Sequence, residues 1–138
     1  MIKAVQRQLN VVLEKNSLCF IFRHFPHRQI HPYAQHAAEA AEAAAAQGQF
    51  WQMHKLLFQH QQELRDGYLV EYASRLGLNI RQFLQDLSKG VHTAHINQNI
   101  ESGIQSRVAA APALFINGIR YINHWRVEQL TAAMAKYK

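Results

Sequence analysis

The 138-residue sequence has a single cysteine, Cys19, and that scarcity excludes more than any other feature of its composition. One thiol cannot close an intramolecular disulfide, so the chain is no disulfide scaffold. Nor can it supply both thiols of a dithiol exchange catalyst. Long apolar runs are missing too: nothing approaches the ~20 residues needed to cross a bilayer. Met1 to Asn10 alternates polar and apolar residues, without the uninterrupted apolar stretch of a secretory signal. The expectation is a cytoplasmic chain that stays off the membrane. Acidic residues are the minority, nine against fifteen Lys and Arg, for a formal charge of +6. Such an excess can signal nucleic-acid binding, but the basic residues run singly from Lys3 to Lys138 with no dense arm. No nucleic-acid partner is expected.

What is present is periodicity. Ile2, Val5, Leu9, Val12 and Leu13 recur at helical spacing and predict an amphipathic helix over about 2–15. Leu18-Cys19-Phe20-Ile21-Phe22 is a short, continuous apolar run and reads as a strand covered on both faces. Pro32 suits a first helical position, and Ala34 to Ala46 then reads as a helix of small side chains stopped by Gly48. Phe50, Trp51, Met53, Leu56, Leu57 and Phe58 form a second apolar helix ending near Asp66-Gly67. Leu69 to Leu76 is a short helix closed by Gly77. Asn79 caps another, with Ile80, Phe83, Leu84 and Leu87 on one face. Beyond Gly90, residues 92–107 continue helical with Val91, His95, Ile96, Ile100 and Ile104 as the inner stripe. The period then changes. Ala113 to Ile116 and Ile119 to Ile122 flank Asn117-Gly118, a strong hairpin signal because both residues tolerate positive φ. A last helix shows Val127, Leu130, Met134 and Tyr137 on one face.

Two stretches carry a resemblance. One runs from Phe22-Arg23-His24-Phe25-Pro26 through Ile30-His31-Pro32 and Ala37 to Ala41 into Gly48 to His54. The other is Val108 to Gly118, containing Ala111-Pro112-Ala113-Leu114-Phe115-Ile116-Asn117-Gly118. Both resemble the DsbA-like thioredoxin-fold family of thiol–disulfide oxidoreductases, and the resemblance covers nearly the whole chain. It implies an α/β thioredoxin-like fold as one domain over 1–138, with a helical insertion at about 32–107 and a C-terminal hairpin and helix at about 112–137. In that family a first strand leads into Cys-x-x-Cys at the start of the first helix. This sequence opens inside that helix, so the first β-strand and both redox cysteines are expected to be missing. A natural short form, a cut chain or a misplaced start would each give this sequence.

The missing strand would lie between 18–22 and 113–116, leaving backbone groups that cost roughly 1–3 kcal/mol each if buried unpaired. A chain of this size is stable by only about 5–15 kcal/mol. A strand from a second copy, direct closure of the flanking strands, or marginal stability are the three outcomes. A homo-oligomer completing the sheet is the first expectation.

The resemblance makes Pro112 the cis-proline beside the family's active site, with Ala111 offering backbone groups to an extended peptide or a protein thiol substrate. Cys19, central in an apolar run, is expected to be buried and inert. His92 and His95, three apart, and His31 and His36, five apart, have no carboxylate at ligand spacing, so no metal and no cofactor is expected. A hydrogen-bonding or capping role fits His24 and His31. Phe50, Trp51 and Met53 read as core. No catalytic residue is assigned. Three functions follow: a disulfide oxidoreductase domain short of its dithiol, a non-catalytic module binding a peptide or subunit at the Pro112 loop, or a glutathione-using isomerase. The last needs a hydroxyl near the first helix, and Met1 to Gln6 offers none.

Overall fold

Alanine decides the architecture. In the computed structural model, which describes residues 18–136, helix α1 (Ala34–Ala45) is buried on nearly every side. Ala40, Ala43 and Ala44 have no exposed surface, and Ala37, Ala38 and Ala41 have little. A helix apolar all round belongs in an interior, and side chains of one carbon let neighbours approach its backbone closely. Helices α2 (Phe50–Gln59), α3 (Asp66–Arg75), α4 (Ile80–Ser88) and α5 (Thr93–Gln105) all touch it, α2 and α4 most extensively. Met53, Leu57, Leu69, Tyr72, Ala73, Leu78 and Phe83 close the core around it.

Local chemistry sets the helix ends. Gly48, Gly77 and Gly90 follow α1, α3 and α4 with positive φ, the conformation in which glycine ends helices without strain. The Asn79 side chain accepts the Gln82 amide at 3.0 Å, as a capping residue should. Gln47, just past α1, grips Asn79 through both of that residue's backbone groups. Pro32 lies in a turn two residues before α1, and α3 starts three residues earlier than the apolar pattern suggests.

Arg23–Ala109 form one compact unit, and the described residues flanking it form another. The second unit holds strands β1 (Leu114–Ile116) and β2 (Ile119–Tyr121) and helix α6 (Val127–Lys136). The strands are antiparallel, with Leu114 opposite Tyr121 and Ile116 opposite Ile119. Asn117 and Gly118 both take positive φ, so the hairpin turns as their sequence predicts. Ile116 and Tyr121 pack on Leu130 of α6, with Leu114, Trp125, Ala133 and Met134 around them.

Several expectations are corrected. Residues 18–22 form no strand, and the sheet among the described residues contains β1 and β2 alone. Direct closure onto β1 is therefore not what this chain does. A ladder needs a backbone partner at about 4.8 Å, and apolar content cannot supply one. Leu18 and Ile21 are consequently exposed, and so is Cys19, against the expectation of burial. Leu84, Val91 and Ile104 face solvent, leaving Phe83 and Ile96 as the buried residues of α4 and α5. Trp51 is 46% exposed while its neighbour Met53 is fully buried. Helix 2–15 and Tyr137 lie outside the described residues.

Gly103, inside α5, is required by a neighbour. A Cβ there would sit 2.7 Å from two ring carbons of Phe25. Alanine would ordinarily improve a helix interior by about 1 kcal/mol. Overpacking costs about 1–3 kcal/mol, so Gly103→Ala is expected to lower the thermal midpoint. A midpoint equal to or above wild type in a melting experiment would contradict the contact.

Candidate functional site

The expected site residues, Ala111 and Pro112, lie in the segment leading into β1, and both are exposed. The peptide bond between them is cis. Two residues on, β1 pairs with β2 along one edge, and no described strand occupies its other edge. An unpaired edge presents a row of N–H and C=O groups to any extended chain. The outer face there carries Phe115 and Ile122, 38% and 84% exposed. The same unit holds residues 18–22, outside any helix or strand, with the Cys19 thiol in solvent. Nucleophilic exchange through a dithiol needs a second thiol that these 138 residues do not have.

In the helical unit the structure assembles a group that sequence spacing hid. His24 donates from Nε2 to Glu42 Oε1 at 2.8 Å, and its backbone N–H donates to Asn99 Oδ1 at 2.9 Å. His95 Nε2 stands 3.7 Å from the same Glu42 oxygen, and His92 Nε2 stands 3.7 Å from Asp86 Oδ2. The His92 atom is buried and its distance is too long for a hydrogen bond. Glu39, one turn before Glu42, accepts from the Thr93 hydroxyl. The hydrogen bond from His24 holds the Glu42 carboxyl below its ordinary value, against the opposing effect of burial, and the charges of His24, His95 and His92 act in the same direction.

His54 is the other buried imidazole, only 4% exposed among Phe50, Trp51 and Phe58. Burial, with a smaller effect from the His24 charge, lowers its pKa to about 4. His36 pairs with Asp66 at 2.9 Å on an open groove lined by Pro32, Tyr33 and Arg65, where both partners are exposed. Among the described residues no three His, Cys, Asp or Glu side chains converge as metal ligands. Sequence reasoning missed Glu42 as a partner because it lies far along the chain from His95, 53 residues away. Only the expected hydrogen-bonding role of His24 pointed there.

No helix of the described residues is long and apolar enough to cross a membrane. A family model described as Thioredoxin matches residues 3–136. Similar curated proteins include the Na(+)/H(+) antiporter NhaA 3 of Salinispora tropica, 42% identical over 124 residues. That alignment takes in 90% of this chain and 19% of the antiporter. The Na(+)/H(+) antiporter NhaA 1 of Salinispora arenicola is 43% identical over 115 residues, 83% of this chain and 18% of that protein. A Na(+)/H(+) antiporter NhaA of Herminiimonas arsenicoxydans is 33% identical over 119 residues, 86% and 19% of the two chains. The chain thus spans about a fifth of the length of these relatives. No solved structure matches it significantly.

Proposed function

We propose, from the premise that this chain belongs to the thioredoxin family over residues 3–136, that it is a DsbA-like binding module rather than a self-sufficient oxidoreductase. The observation that carries the reading is the edge of β1 that no described strand occupies, beside the exposed Ala111-Pro112 segment. An extended segment added there would gain main-chain hydrogen bonds, with Phe115 and Ile122 offering apolar contact on the outer face. The single thiol supports the non-catalytic half of the reading. A second copy of the chain, donating a strand that completes the sheet, is the first occupant.

A second reading draws on the relatives. Because the matched region is about a fifth of a Na(+)/H(+) antiporter, the chain would serve as an accessory domain to such a transporter, as part of a longer protein or as a separate partner. The edge at β1 would then take a segment of the transporter.

Sedimentation velocity combined with insulin reduction tests the first reading. The expected result is a dimer with no insulin turnover above the dithiothreitol background. Turnover by the pure chain would overturn the non-catalytic assignment. A cooperative monomer would remove the second copy as the occupant and leave the transporter segment, which co-purification with a full-length antiporter would then have to show.

A further inference from the structure

We draw no further inference here: the strongest candidate, the open groove lined by Pro32, Tyr33, His36, Arg65, Asp66 and Gly67 beside the starts of α1 and α3, offers only an exposed ion pair and a helix N-terminus, and nothing among the described residues shows what would fill it.

Discussion

Phe83→Ala is expected to remove about 3–5 kcal/mol of stability, while Leu84→Ala, one residue along the same helix, changes it by under about 1 kcal/mol. Phe83 is fully buried against the alanine helix, whereas Leu84 is 44% exposed. Truncating Phe83 forfeits the transfer of its ring and leaves a cavity beside α1. Alanine side chains have no length with which to fill it, so the site cannot collapse. Total stability of about 5–15 kcal/mol makes this the largest single-residue effect expected in the helical unit. Urea unfolding of the two variants measures it. Comparable losses from both would mean that α4 turns a different face to the core.

Acid is expected to produce the second large effect, through His54. Its folded pKa of about 4 lies below the ordinary imidazole value of 6.5, so the native state favours the neutral ring. The unfolded chain takes up the proton first. Stability is therefore complete above about pH 6.5 and falls as pH drops from there toward 4, by about 3 kcal/mol in all. Glu42 adds a loss in a lower window: its depressed pKa contributes stability that is present above 4.5 and disappears as pH falls through the folded value. Chemical denaturation across pH 7.5 to 4 measures the first limb. His54→Gln, with no proton to take up in that range, is expected to flatten it. A wild-type limb that persists unchanged in that variant would assign the acid sensitivity elsewhere.

Punctuation was legible in the sequence. Gly48, Gly77, Gly90 and Asn79 end or start helices where they stand, and Asn117-Gly118 turns the hairpin, because each acts through its own backbone preference. Partners were not legible. The run from Leu18 to Phe22 has the composition of a covered strand, yet it joins no sheet among the described residues and Cys19 is left in solvent. On α5, apolar residues at helical spacing suggested a broad inner stripe, but Ile96 is buried and Ile104 is 62% exposed. Periodicity ranks the faces of a helix without saying how much neighbouring surface arrives to cover them.

The candidate sites divide along the same line. Ala111 and Pro112 could be named from the residues around them because the motif is contiguous. Glu42 with His24, His92 and His95 could not, since helix packing alone brings those positions together. By itself the sequence determined the glycine stops after three helices, the hairpin turn, the absence of a dithiol and the alanine helix as a place of close approach, all properties of residues and their immediate neighbours. Tertiary structure alone decided which apolar faces are covered, that β1 pairs with β2 alone among the described residues, and that one carboxylate sits among three histidines. Burial and electrostatic coupling act through space between segments far apart in the chain, and local preference carries no record of them.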